Sequence, residues 1–155
     1  MKTFYTKRGR EITYLGKEFS SLTPKNPTEK FKSLDDLFAA LLESYSAETV
    51  HPMISGKYDG YDDPTFCHCT ITSMIVQDYY GGEIISTPTP TGGNHFFNRI
   101  DGKIIDLTSD QFTNKNIVLD YSNISFVNRE EIPEKKEGAT SRYAILKQKV
   151  EKIIN

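Results

Sequence analysis

The chain has 155 residues, of which 37% are hydrophobic and 12% are aromatic. This length fits one domain, and the apolar content is sufficient for a folded core, which excludes a disordered chain. The formal net charge of -2 provides no basic field for nucleic acid, and no apolar run reaches the roughly 18–20 residues of a membrane span. We therefore expect a single domain over residues 1–155 that binds neither nucleic acid nor membranes.

The first 32 residues carry few structural signals. Gly9 predicts a turn between two short β-type segments, residues 3–7 and 10–15. Residues 22–32 contain two prolines among lysine, asparagine and threonine, which is typical of a linker. We expect this part of the chain to contribute a small hairpin followed by an irregular connection.

The chain contains two cysteines, Cys67 and Cys69, separated by one residue. A disulfide between them would close a small, strained ring, so we expect two free thiols. Free thiols are typical of a reducing compartment. The N-terminal residues also lack the apolar core of a signal peptide. These features together predict a cytoplasmic protein.

A first amphipathic helix is predicted from Ser33 to Tyr45. Apolar residues recur there at helical spacing, Ser33 is a suitable N-cap, and Asp35 and Asp36 lie in the first turn, where the helix dipole favours acids. A long loop follows over residues 51–65. Loops of this length are uncommon without a function, so we expect it to form one wall of a site.

A second helix is predicted to begin at Cys69 and to end at Gly81-Gly82. Its apolar residues spread widely around the helix, which indicates a buried helix. A cysteine in the first turn lies at the positive end of the helix dipole, which favours the thiolate. Because the thiolate is the nucleophilic form, Cys69 is the predicted nucleophile.

Asp101-Gly102 lies between two β-type runs and predicts a hairpin with a type I′ turn. The two-residue loop places Asn98 opposite Ile105, and His95 and Asp106 on the same face of the hairpin. As diagonal neighbours they are expected about 7–8 Å apart at the backbone, within joint reach of their side chains.

The other β-type runs are residues 83–87, 117–119 and 124–127, and the chain closes with a helical pattern over residues 140–154. Helices and strands occur in separate runs, which favours an α+β fold over an alternating α/β fold. We predict that the helix bearing Cys69 packs on an antiparallel sheet that contains the hairpin.

Cys69, His95 and Asp106 together follow the logic of a cysteine nucleophile with a general base. The histidine accepts the thiol proton, and the carboxylate orients the imidazole and stabilises its cation. The backbone N–H of Cys69 is a candidate for part of an oxyanion hole. This arrangement predicts a cysteine hydrolase or acyl-transfer enzyme acting on an amide, ester or isopeptide.

Several short motifs across residues 33–150 carry a family resemblance. They are Ser46-Ala47-Glu48-Thr49, Cys69-Thr70, Val76-Gln77-Asp78-Tyr79, Gly81-Gly82-Glu83-Ile84, His95-Phe96-Phe97-Asn98-Arg99, Asp106-Leu107-Thr108, Gln111-Phe112, Arg142-Tyr143 and Leu146. On these motifs the sequence resembles the YunG family of small bacterial proteins, which look like distant relatives of papain-like and transglutaminase-like cysteine hydrolases. The resemblance implies a papain-like core. Residues 1–32 lie outside it, and in the family pattern a glycine commonly occupies the position of Cys67.

Two other functions fit the same residues. A catalytically inactive binding module would keep the fold without turnover. A zinc protein would use Cys67, His68, Cys69 and His95, although the spacing of the two cysteines is cramped for a structural zinc site. We predict no metal and no cofactor.

The sequence constrains the substrate only loosely: a small molecule, a peptide and a protein all remain open. The candidate binding residues are Tyr58, Tyr61, Asn98 and Gln111, whereas His51 and His68 are interpreted as ordinary loop residues. Three acids in the loop, Asp59, Asp62 and Asp63, predict a negative wall that prefers neutral or positively charged ligands.

Overall fold

The computed structural model describes residues 2–135 and 141–155. It is a mixed α+β fold, as predicted. The helices are α1 (Leu34–Ser44), α2 (Cys69–Tyr80), the short α3 (Asp110–Thr113) and α4 (Arg142–Ile154). The strands are β1 (Phe4–Tyr5), β2 (Glu11–Ile12), β3 (Glu83–Pro88), β4 (Asn94–Ile100), β5 (Lys103–Ile105) and β6 (Ser125–Phe126). The predicted start of the last helix at Thr140 lies outside the described residues.

The main sheet has four antiparallel strands in the order β5-β4-β3-β6. Asp101 and Gly102 form the turn between β4 and β5, with φ angles of 50° and 76°. Both residues therefore occupy the left-handed region that a type I′ turn requires. Asn98 pairs with Ile105, so the predicted register is confirmed.

Helix α1 forms as its sequence predicts. The Ser33 side chain accepts a hydrogen bond from the backbone N–H of Asp36 at 3.2 Å and thereby caps the helix. Leu34, Leu37 and Leu41 are fully buried on one face, and this helix packs against α4. The two helices cover one side of the core.

Helix α2 is the buried centre of the fold. Its side chains Ile71, Met74 and Ile75 are inaccessible to solvent, and the helix contacts β3, β4 and α4. The chain then leaves the helix through two glycines with positive φ. A Cβ atom on Gly82 would overlap the carbonyl oxygen of Arg99, so only glycine fits where the chain turns from α2 into β3. None of the described helices has both the length and the apolar character needed to cross a bilayer.

Two predicted segments differ from the structure. Residues 117–119 alternate in burial but pair with no neighbouring strand; instead, the backbone N–H of Ile117 bonds the carbonyl of Phe112 at 2.9 Å and closes the turn after α3. Residues 22–32 are irregular but are not a free linker. Phe31 is buried, and its ring packs edge-on against Tyr79 with the ring centroids 5.2 Å apart. The first difference follows from a local turn, whereas the second depends on a contact between residues distant in sequence.

The N-terminal residues support the hairpin that carries Asp106. Strands β1 and β2 pair as predicted, and Phe4 and Ile12 join the core that α1 and α2 share. The backbone of Leu15 then makes two hydrogen bonds with that of Asp106, at 2.9 and 3.3 Å. Leu15, which lies outside the family resemblance, thus continues the antiparallel pairing beyond the end of β5, at Asp106.

Candidate active site

The structure brings His95 and Asp106 together. His95 lies near the start of β4, Asp106 follows β5, and the hairpin register places them on one face. His95 Nε2 lies 2.6 Å from Asp106 Oδ2, and the two side chains are 0% and 1% exposed. A hydrogen bond this short in a dry environment fixes the orientation of the imidazole ring.

Asp106 is held by further donors on both oxygens. Oδ1 accepts from the backbone N–H of Thr108 at 3.1 Å and from its hydroxyl at 3.3 Å. Oδ2 also accepts from the Tyr121 hydroxyl at 2.6 Å. Burial, and then the adjacent charge of Asp106, raise the pKa of Tyr121, so Tyr121 stays a donor. The carboxylate has little freedom to rotate away from His95.

His95 is surrounded so that its cation is favoured. Burial lowers its pKa, but the charge of Asp106, their hydrogen bond and the interaction with Cys69 outweigh burial and raise the pKa to about 10. Because Nε2 is bonded to Asp106, Nδ1 is the nitrogen left for the thiol. Nδ1 is buried and makes no well-formed hydrogen bond with a described residue.

Cys69 begins α2 and is half-buried. Burial raises the pKa of its thiol, but the nearby imidazole and charge of His95, together with the backbone N–H of Phe96, outweigh burial and lower the pKa. A lowered thiol pKa beside a raised imidazole pKa describes a thiolate–imidazolium pair. That pair is the activated form of a cysteine nucleophile.

The thiol and the imidazole line one cleft of about 210 Å³. The loop after β3 forms one wall through Thr89, Thr91 and Gly92. On another side the edge of the Phe112 ring packs against His95, with the ring centroids 4.7 Å apart. The remaining lining residues are Phe66, Cys67, Asn94 and Gln111.

Cys67 and Gln111 shape the approach to Cys69. Cys67 has a φ of 55°, a conformation that glycine adopts more easily, which explains why glycine is common there in the family pattern. Its backbone N–H donates to Gln111 Oε1 at 3.2 Å, and Gln111 Nε2 donates to the carbonyl of Thr108 at 3.1 Å. Burial and the charge of Cys69 raise the pKa of Cys67, so Cys69 is the better nucleophile.

The other predicted binding residues lie elsewhere, and only Gln111 of the four lines this cleft. Asn98 is buried, and its Nδ2 donates to the carbonyl of Ser73 at 2.9 Å, which ties β4 to α2. Tyr58 donates its hydroxyl proton to the carbonyl of Pro64 at 2.6 Å. Tyr61 is 61% exposed. Their positions are set by the fold of the loop and the sheet, which sequence spacing does not reveal.

The predicted negative wall is also absent from the cleft. All three acids of the loop form ion pairs with basic residues, so they present no unopposed charge to a ligand. The pairs are Arg8–Asp59, Arg10–Asp62 and Lys115–Asp63, at 2.8, 3.4 and 2.7 Å. These ion pairs therefore remove the reason to expect that the loop acids disfavour anionic ligands.

His68, interpreted from sequence as a loop residue, is instead buried at the start of α2. Its Nε2 lies 2.7 Å from the Thr49 hydroxyl oxygen, and Nδ1 lies 3.0 Å from the carbonyl of Phe66. Burial lowers its pKa to about 3. Both nitrogens are engaged, so His68 is not available to the zinc set considered above. Within the described residues no group of three or more His, Cys, Asp or Glu side chains is arranged to hold a metal.

Sequence reasoning did not identify Tyr121, Thr108 or Phe112 as part of the site. Thr108 had a local signal, because an aspartate often bonds the backbone two residues later. Tyr121 had none, since it reaches Asp106 only after the chain has left the sheet and returned towards β6. Phe112 needed the packing of α3 against β4 to reveal its role.

The fold and the site define an α+β protein with a thiol at the start of a buried helix and an imidazole–carboxylate pair on the adjoining sheet. A family model described as "YunG protein" matches residues 33–155, and the chain belongs to the YunG family. It is similar to "Uncharacterized protein YunG" of Bacillus subtilis (strain 168), with 39% identity over 49 residues. That match covers 32% of this chain and 42% of the relative. No solved structure matches the chain.

Proposed function

We propose that this protein is a cysteine-dependent hydrolase or acyl-transfer enzyme that acts on an amide, ester or isopeptide. The observation that carries the proposal is the pairing of a half-buried thiol with a buried imidazole whose other nitrogen lies 2.6 Å from a carboxylate oxygen. Cys69 is the nucleophile, His95 is the general base and acid, and Asp106 orients His95.

In the first step the Cys69 thiolate attacks the carbonyl carbon of the substrate and forms a carbon–sulfur bond. The negative charge moves to the carbonyl oxygen, for which the backbone N–H of Cys69 is a donor, because helical N–H groups in the first turn lack intrahelical acceptors. The His95 imidazolium gives its proton to the departing amine or alkoxide. The product is a thioester on Cys69.

In the second step a water molecule, or an amine in the transfer reaction, attacks the thioester while His95 accepts its proton. The carbon–sulfur bond breaks, the acyl group leaves, and the thiolate–imidazolium pair is restored. Asp106 stabilises the imidazolium in both steps through the hydrogen bond to Nε2. No additional oxidant or reductant is needed, since the chemistry is acyl transfer throughout.

The packing of α2 against β4 supports a papain-like core, because it sets the nucleophile at a helix start beside a strand that carries the base. Two free cysteines also suit a reducing compartment, and we propose that the enzyme works in the cytoplasm.

The thiol pKa tests the activated nucleophile. Iodoacetamide labelling of the Cys69 peptide is measured by mass spectrometry across pH. The labelling should persist at pH values well below the pKa of an ordinary thiol, about 8.5. His95→Ala should return the labelling midpoint to about that value. His51 is exposed, so His51→Ala is the matched control and should behave like the parent. An ordinary midpoint in the parent would contradict the proposal.

Turnover distinguishes the enzyme from an inactive binding module of the same fold. A panel of amide, ester and isopeptide probes should label the parent and fail to label Cys69→Ala. Labelling that survives in Cys69→Ala would show a structural role for Cys69. A low thiol pKa without any turnover would favour the binding module.

A further inference from the structure

A second cleft lies beside the start of α2. Its volume is about 500 Å³, within the range of small-molecule sites. Asn94 lines both clefts, so they are neighbours. Thr70, which follows Cys69, and Phe96, which follows His95, line the second cleft. We call this second cleft the acyl groove.

The acyl groove has a mixed lining, with five apolar residues beside polar ones that include two acids. Its apolar lining residues are Phe96, Phe126, Val127, Ile132 and Pro133. Glu131 and Glu134 also line it, and no lysine or arginine does so among the residues described. Glu134 is paired with Arg142 at 2.5 Å, so Glu131 supplies the negative charge of the groove. A bulky uncharged group gains by entering such a groove, whereas an anion meets like charge and loses hydration.

The walls of the groove are anchored to the core. Phe96 and Val127 pack against Met74, Ile84 and Ile132, which form a small buried cluster. The backbone N–H of Val127 also bonds the carbonyl of Ile84 at 2.9 Å. The groove is therefore formed before any ligand arrives, which lowers the ordering cost of binding.

The next segment is tied to α2 by Arg129. Its guanidinium lies 2.8 Å from Asp78 Oδ1 and 3.1 Å from the carbonyl of Met74. Asn128 then caps the following turn by accepting from the N–H of Glu130 at 3.0 Å. These contacts hold the apolar and acidic walls at a constant distance from the thiol.

We propose that the acyl groove binds the side chain adjacent to the scissile carbonyl, and that it selects a bulky, uncharged apolar side chain over an anionic one. As a reaction subsite it rests on the proposed function, because it serves the reaction through its position next to the cleft that Cys69 lines. As a binding site it is tested independently of turnover.

The relative affinities of small amides test which side chains the groove selects. N-acetyl amino-acid amides carrying the side chains of Phe, Leu, Ala, Asn and Asp are titrated into Cys69→Ala and followed by NMR. The Phe and Leu amides should bind at least about tenfold more tightly than Ala, given the gain from apolar contacts. The Asp amide should bind more weakly than Asn. Equal affinity across the series, or a preference for Asp, would overturn the proposal.

Substitutions at two valines, one in the groove and one outside it, test where the amides bind. Val127 lines the groove, whereas Val118 is 85% exposed and lines neither cleft. In the Cys69→Ala background, Val127→Lys should abolish the Phe-over-Ala preference and relieve the discrimination against Asp. Val118→Lys should retain both. If Val127→Lys does not fold, Phe126→Ala serves instead, because that ring is 65% exposed; it should reduce the Phe preference.

Turnover of the corresponding p-nitrophenyl esters by the parent separates the two proposals. The ester series should follow the same order as the amides. If the amides bind in the expected order but no ester is turned over in a Cys69-dependent way, the groove is upheld and the enzyme is not. If esters are turned over without side-chain preference and the amides bind equally, the enzyme is upheld and the groove is overturned.

Discussion

The two buried histidines of this protein, His68 immediately before Cys69 and His95 in the same cleft as Cys69, have opposite electrostatics. His68, at the start of α2, contacts a hydroxyl and a backbone carbonyl, and burial lowers its pKa to about 3. His95, on the sheet, contacts Asp106 and interacts with Cys69, and its pKa is raised to about 10 despite burial. One ring is neutral across the physiological range and the other is cationic.

The comparison shows that burial alone does not decide the role of a histidine. Burial disfavours the cation in both places, and the sign of the shift depends on whether a carboxylate shares the buried space. His68 therefore stabilises the loop before Cys69 without taking part in proton transfer. The pKa of His95 is raised despite burial because the charge of Asp106 compensates for the lost hydration.

The largest effect is expected when the carboxylate beside His95 is neutralised. Asp106→Asn keeps the shape but removes the charge that stabilises the imidazolium, so turnover should fall about a hundredfold and the thiol pKa should rise. Iodoacetamide labelling of Cys69 across pH measures the second effect. Asp101→Asn, an exposed change in the same hairpin that tolerates the left-handed conformation, should match the parent. An unshifted labelling curve in Asp106→Asn would contradict the assigned role.

His68→Gln should weaken the fold through the loss of the bond to Phe66, by about 2 kcal/mol at pH 7. The pH dependence is more specific. The pKa of His68 is lowered to about 3 in the folded state, whereas its unfolded pKa is about 6.5. Between these values the unfolded state binds a proton that the folded state does not. The free energy of unfolding therefore decreases by up to about 1.4 kcal/mol for each unit by which the pH is lowered.

The variant lacks that contribution, so the parent's advantage of about 2 kcal/mol at pH 7 should shrink as the pH falls, reach zero at about pH 5 and reverse by about pH 4. Urea unfolding at several pH values measures this difference. A constant difference at every pH would mean that His68 does not stay neutral when folded. His51→Gln, at an exposed histidine that accepts a hydrogen bond from the Met53 N–H at 3.2 Å, is the control and should leave the pH dependence of stability like that of the parent.

Tyr121→Phe should produce a smaller effect on the His95 side. It removes one donor to Asp106 and leaves the Thr108 donors in place, so turnover should fall about tenfold and the thiol pKa should rise slightly. Tyr58→Phe removes a hydroxyl of similar geometry whose acceptor is the Pro64 carbonyl, and it should leave the thiol pKa unchanged. Equal pH profiles for the two variants would assign Tyr121 to packing alone.

The smallest effect concerns the loop immediately before His68. Cys67 adopts a positive φ, which costs a residue with a Cβ about 1 kcal/mol relative to glycine. Cys67→Gly should therefore raise the unfolding free energy by up to about 1 kcal/mol. Cys67→Ala retains the Cβ and should not. Equal stability of the two variants in urea would contradict the backbone explanation.

Much of the site was determined by local sequence. The apolar spacing and the capping serine specify α1, the glycine pair ends α2, and Asp101-Gly102 specifies the hairpin and its register. Register alone then places His95 and Asp106 on one face, because the side-chain period of a strand is two residues. The prediction that Cys69 is the nucleophile came from its position in the first turn of a helix.

The tertiary structure decided which polar groups meet across long stretches of chain. Tyr121 reaches Asp106, the loop acids pair with Arg8, Arg10 and Lys115, and Asn98 ties β4 to α2. His68 and His95 carry the same side chain in the sequence, and only the presence or absence of a buried carboxylate separates them. Side-chain electrostatics act through space over a few ångströms, so their outcome depends on packing that sequence periodicity does not specify.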